Sequence, residues 1–229
     1  MRDLKRGFAA TTPLVPGIVA FGLLYGMMAR QVGLSPWETL AMSLIVHAGS
    51  AQFAAVGMWQ AADALSIILT TFIINLRHLL MGASIAPYLK DEPSLWKALL
   101  ALWMSDESYA LSIAEYERGR GSRWYFLGAN LGVYLSWPLS GFAGALVGAA
   151  IPDPARYGLD LIFPLAFMGL LMNFVKDRTS VIVTLLAGGL ALLGSFLLPG
   201  NWYVIAAGLL GSALGLVIEE AERIIWPHS

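Results

Sequence analysis

The 229-residue chain contains no cysteine and only 29 charged residues, 14 Lys and Arg against 15 Asp and Glu. Without cysteine there is no disulfide framework, no thiolate metal site and no cysteine nucleophile. Charged residues make up 13% of the chain, where a soluble domain carries about a quarter. With a mean hydropathy of +0.69, this scarcity excludes disorder, a coiled coil and most soluble architectures. A net charge of −1 provides no basic field for nucleic acid. No ligand cluster with metal spacing is present, so no metal is expected, and nothing calls for an organic cofactor. What fills the chain is apolar, at 58% hydrophobic residues. Such a composition belongs in a lipid bilayer.

A helical span needs about 20 predominantly apolar residues. Eight stretches meet or approach that length: Phe8 to Ala29, Trp37 to Met58, Ala64 to Ala86, Trp96 to Ala114, Trp124 to Ile151, Leu159 to Val175, Thr179 to Leu198 and Trp202 to Ile218. Runs such as Val181 to Leu198 are apolar all round, without the dyad alternation of a membrane barrel. The expectation is an all-α bundle of seven or eight transmembrane helices forming one domain over residues 1–229, with no soluble domain. Four tryptophans at span edges (Trp37, Trp96, Trp124, Trp202) fit an interfacial belt. The first stretch exceeds a signal-peptide core and is read as a retained helix. Crossing all eight times would place nine Lys and Arg on the side of the termini and four on the other, which favours cytoplasmic termini.

Helix breaks are expected where proline and glycine gather. Pro13, Pro16 and Gly17 should kink or unwind the start of the first span, and Gly22 and Gly26 form a GxxxG pair for close packing. The second span carries His47-Ala48-Gly49-Ser50-Ala51-Gln52-Phe53 near its middle. A break at Gly49 would expose N–H groups of the following half-helix to an anionic carboxylate. Alternatively, Ser50 and Gln52 serve as interhelical glue.

Charges lie inside the third and fourth spans. Asn75, Arg77 and His78 follow a long uncharged run, and an Arg at that depth costs at least about 2.5–3.5 kcal/mol unless it is partnered. Asp106 and Glu107 are the candidate partners; one can meet Arg77 while the other, about 100° around the helix, faces elsewhere. His47 and His78 could pass protons. A static network is the alternative, but this many ionisable groups in one small chain point to a solute or proton pathway. Asn130 reads as a cap or as glue, and Asn173 as interfacial.

These residues resemble the azaleucine-resistance (AzlC-type) family of branched-chain amino acid permeases. The resemblance rests on Pro13 through Gly26, His47 to Phe53, Asn75 to His78, Pro87 and Asp106-Glu107, and covers most of the chain. It implies a bacterial inner-membrane exporter of branched-chain amino acids. It also implies a small AzlD-type membrane partner of about four spans. No GxxxxGK[ST] loop is present to bind ATP, and the intramembrane histidines and carboxylates make coupling to a proton gradient the expectation. A matching site would use Gly49, Ser50, Gln52, Asn75 and Phe53 for the substrate, with apolar walls from Phe21, Met104 or Phe167. Arg77, His78, Asp106, Glu107 and His47 would form the ion-pair and proton-coupling set. Two other classes stand beside this reading: an intramembrane hydrolase pairing Ser50 with a histidine, and a channel or assembly subunit without carrier activity.

Overall fold

The computed structural model describes residues 1–151, 168, 175, 178–197 and 202–225. Among these the regular structure is entirely helical. We number the helices α1 (Arg2–Ala10), α2 (Val15–Gln31), α3 (Pro36–Val46), α4 (Gly49–Met58), α5 (Ala64–Ile85), α6 (Ser94–Leu102), α7 (Asp106–Glu117), α8 (Arg123–Ala149), α9 (Arg178–Leu197) and α10 (Trp202–Ile225). A 3-10 turn, Ala86–Leu89, extends α5. The chain divides into two compact units, residues 1–57 with 71–162, and residues 58–70 with 163–229.

In the first unit α8 is the spine. Helices α1 and α2 run alongside it in the same direction: Gly7 lies on the Tyr125 backbone, Gly26 on that of Gly141, and Gly148 on Arg30. The contact is backbone to backbone. A Cβ at Gly26 would strike the Gly141 carbonyl and the Ala145 amide, while one at Gly22 would strike the Ser140 side chain. The GxxxG pair therefore does what small residues do between membrane helices, admitting a neighbour to van der Waals contact of the main chains. Between Ala10 and Val15 the axis bends by 62°, with Pro13 in the intervening turn and Pro16 in the first turn of α2. This is the expected kink: each proline lacks the N–H that would continue the ladder.

Helix α5 runs against α8. Ile85 and Leu89 pack with Phe126 and Leu127 at one end, and Arg77 lies deeper. The two segments flanking α5 are broken. Helix α3 approaches α8 with Trp37 against Phe142 and ends with His47 against Tyr134. Helix α4 does not continue down α8. It turns back, so that Gln52 reaches both Ser43 of α3 and Trp137. Helix α6 comes from the opposite end, with Trp96 on Trp124 and Trp103 on Tyr134. Helix α7 then returns to that same end, where Glu115 meets Arg6 and Arg6 covers Tyr125.

The fourth expected span, Trp96 to Ala114, is thus a re-entrant hairpin, and the second, Trp37 to Met58, is a corner. Non-helical backbone at such depth is tolerated where protein buries it. Correcting the fourth span also corrects the charge placement. Lys90 and Lys97, expected opposite the termini, share an end with Arg123, which pairs with Glu92 at 2.8 Å and covers Trp96. Among the described residues three helical stretches are long and apolar enough to cross a membrane, Ala64–Leu89, Arg123–Ala149 and Arg178–Leu197, and the bent α1–α2 pair, counted as one span, makes a fourth. The expected span Leu159 to Val175 lies almost wholly outside the described residues.

In the second unit α9 and α10 pack antiparallel, Gly211 on Ala187 and Gly215 on Val183. Leu185, Leu192 and Phe196 of α9 are largely exposed within this unit.

Candidate functional site

The two breaks form by different local chemistry. His47 ends α3 in the left-handed region, φ 42° and ψ 43°, although it is not glycine. The first hydrogen bond of α4 runs from the Gln52 N–H to the Ala48 carbonyl. Helix α7 opens instead on a capping box. Ser105 Oγ accepts from the Ser108 N–H, Ser108 Oγ accepts from the Ser105 N–H, and Asp106 and Glu107 occupy the first turn. Carboxylates there complement the helix dipole.

Each break also orphans a carbonyl. In a continuous helix Leu44 would accept from Ala48, and Leu100 from Met104. Helix α8 supplies both substitutes: the Tyr134 hydroxyl donates to the Leu44 carbonyl at 3.1 Å, and Asn130 Nδ2 donates to the Leu100 carbonyl at 2.9 Å. These residues are four apart and lie on one face of α8. Asn130 is therefore a cap, one of the two roles expected of it.

Arg77 of α5 joins the two tips. Its guanidinium donates to Ser50 Oγ at 3.3 Å and pairs with Asp106 Oδ2 at 2.7 Å. The expected Arg–carboxylate pair is present, and Asp106 is its acid. Glu107, half-buried on the next position, makes no ion pair among the described residues. Ser50 receives its hydrogen bond from Arg77, not from a histidine; His78 Nδ1 lies 3.3 Å from the Asn75 carbonyl. Two helix N-termini, each worth roughly half a positive charge, meet one guanidinium and the first-turn carboxylates Asp106 and Glu107, so charges of both signs converge at the junction.

Buried polar atoms around the junction that lack hydrogen-bond partners among the described residues include both ring nitrogens of His47, Asn75 Oδ1, Arg77 Nε and, at the α6–α7 break, Asn130 Oδ1. His47 is 6% exposed and packs its ring on Tyr134 with centroids 4.7 Å apart. Unpaired buried polar atoms are costly unless water or a ligand completes them.

Other expected site residues are placed differently. Gln52 is fully buried and its amide is used at both ends: Nε2 donates to Ser43 Oγ at 3.0 Å, and Trp137 Nε1 donates to Oε1 at 2.8 Å. That is the glue reading. Phe53 sits edge-on to Phe21, Tyr25 and Trp137, in an aromatic group beside the α4 tip. Met104 packs in a separate cluster with Leu100 and Phe126. Phe167 and Asn173 lie outside the described residues. The sequence reading missed Tyr134, Trp137 and Trp103. Asn130 and Tyr134 spaced by one turn inside an apolar helix were the available signal.

These features define the class: a polytopic helical membrane protein whose broken helices meet at an internal charge. A family model described as AzlC protein matches residues 13–151, and the chain belongs to that family. The matched region contains both breaks, Arg77 and the two capping residues of α8. An uncharacterized membrane protein of Archaeoglobus fulgidus is 29% identical over 92% of this chain and 93% of its own. The inner membrane protein YgaZ of Escherichia coli K12 is 29% identical over 93% and 89%. The branched-chain amino acid transport protein AzlC of Bacillus subtilis 168 is 25% identical over 95% and 87%. No solved structure matches the chain.

Proposed function

We propose that the chain is a secondary carrier that exports branched-chain amino acids across a bacterial inner membrane, coupled to protons. In this reading it acts with a small four-span AzlD-type subunit and uses no ATP. The observation that carries it is the junction at Arg77, where two half-helix N-termini meet beside unpaired polar atoms. A zwitterion suits such a place. Its carboxylate would take the N–H groups at Gly49 and Ser50, and its ammonium would take Glu107 or Asn75 Oδ1. The aromatic group of Phe21 and Phe53 would face the branched side chain. Asp106, Arg77, His78 and His47 would handle the proton. The name of the Bacillus subtilis relative supports the substrate class.

Orientation follows from charge. Among the described residues, Arg2, Lys5, Arg6, Lys90, Lys97, Arg118, Arg120 and Arg123 gather at one end of the first unit, against Arg30 at the other. We take the basic end as cytoplasmic, which keeps the N-terminus inside.

The test is radiolabelled leucine counterflow in proteoliposomes, with and without the small subunit, at two pH values. Uptake driven by unlabelled leucine or valine, but not by glutamate or lysine, is the expected result. Absence of counterflow with the subunit present would refute a carrier. Nothing in the surroundings of Ser50 favours the hydrolase reading.

A further inference from the structure

We infer that Tyr134 is a positioning residue shared by the two half-helix tips, holding both against Arg77 from opposite ends of α8. The inference deepens the proposed site, and it depends on the carrier reading only for its transport readout.

Its basis is a contact pattern that occurs twice. Leu44 and Leu100 are the carbonyls capped from α8, His47 and Trp103 are the rings on Tyr134, and Ser50 and Asp106 are the side chains on Arg77. Each pair is separated by the same 56 residues: 100 − 44, 103 − 47 and 106 − 50. The directions are opposite. Helix α2 runs with α8 and is followed by the α3–α4 corner, whereas α5 runs against α8 and is followed by the α6–α7 hairpin. This is the relation of inverted repeats. Three independent contacts recurring at one spacing make the two breaks equivalent parts. Tyr134 and Arg77 each touch both.

Tyr134 acts on the tips by two separable means. Its hydroxyl serves only the α3–α4 break, through Leu44. Its ring serves both, through His47 at 4.7 Å and Trp103 at 5.3 Å. Asn130 serves only the α6–α7 break. A tip whose carbonyl loses its donor opens more often, because an unsatisfied acceptor is expensive where protein buries it, as at Leu100, and where hydrocarbon would cover it, as at the exposed Leu44.

The cysteine-free chain allows this to be read directly. Ala48 and Met104 lie in the two breaks and are 5% and 4% exposed. In separate Ala48→Cys and Met104→Cys backgrounds, the rate of reaction with a small maleimide reports opening of each tip. Tyr134→Phe should raise the rate at Ala48→Cys about tenfold and leave Met104→Cys unchanged, while Asn130→Ala should do the reverse. Tyr134→Ala should raise both. If Tyr134→Ala does not fold, the crossed pattern of the two milder variants still decides. Equal acceleration of both reporters by either mild variant, or of neither, would overturn the inference, as would Tyr134→Ala moving one reporter alone. Leucine counterflow on the parent is run in parallel. A crossed labelling pattern in a chain that moves no leucine would sink the carrier reading and leave the positioning role intact.

Discussion

Arg77 decides more than any other side chain in the first unit. It is 26% exposed and Asp106 46%, so its ion pair is partly wetted and its strength moderate. Its worth lies in geometry, since a planar fork can hold a hydroxyl and a carboxylate at once where an ammonium holds a point. Asp106→Asn leaves that guanidinium without a counter-charge. We expect a stability loss of about 1–3 kcal/mol and a counterflow rate that no longer responds to pH, measured by melting in detergent and by transport. Glu115 is the contrasting case, at the basic end and away from the tips. It accepts from Arg120 and Arg6 at 2.7 Å each, with Arg118 at 3.5 Å. The Arg120 hydrogen bond above all holds its carboxyl below the usual value of 4.5. A lowered folded value means stability is present above the unfolded value and fades as pH falls through the folded one. Melting temperature should therefore drop below about pH 4.5 by more in the parent than in Glu115→Gln. Equal pH profiles would contradict this.

Among the elements, α8 supports the others through surfaces with no side chain to spare. A leucine at Gly26 must displace the Gly141 main chain, so Gly26→Leu should cost about 3 kcal/mol or more and separate α2 from α8. Melting of that variant alongside Gly17→Leu, where a Cβ meets nothing, isolates the effect. How legible the elements were depended on what broke them. The kink at Pro13 and Pro16 and the break before Gly49 were readable, because proline and glycine announce themselves. The break at Trp103 to Ser105 was not, because a tryptophan and a methionine look like helix interior. Its signal was a different one, Ser105 followed by Asp106, Glu107 and Ser108. That is a helix start placed where a helix was assumed to continue. The Arg77 pair was legible from the cost of burying a lone charge. The commitment of Gln52 to Ser43 and Trp137 was not, since it depends on α4 turning back.

On the scale of the molecule, the misread hairpin reversed one loop. With every apolar stretch counted as a crossing, residues 90–97 face away from residues 118–123. The Arg123–Glu92 pair puts them together. Lys90→Cys and Arg118→Cys should accordingly react with an impermeant thiol reagent from the same side of a sealed vesicle. Labelling from opposite sides would restore the crossing.

The order of the chain adds a constraint on how it is made. Leu44 and Leu100 find their donors in Tyr134 and Asn130, which leave the ribosome some ninety and thirty residues later. Both corners must therefore wait at the membrane with an open carbonyl, in water or at the headgroups, until α8 arrives. Insertion of this protein is then a closing step rather than a succession of threaded spans, and a nascent chain stopped before residue 130 should leave both corners outside the hydrocarbon.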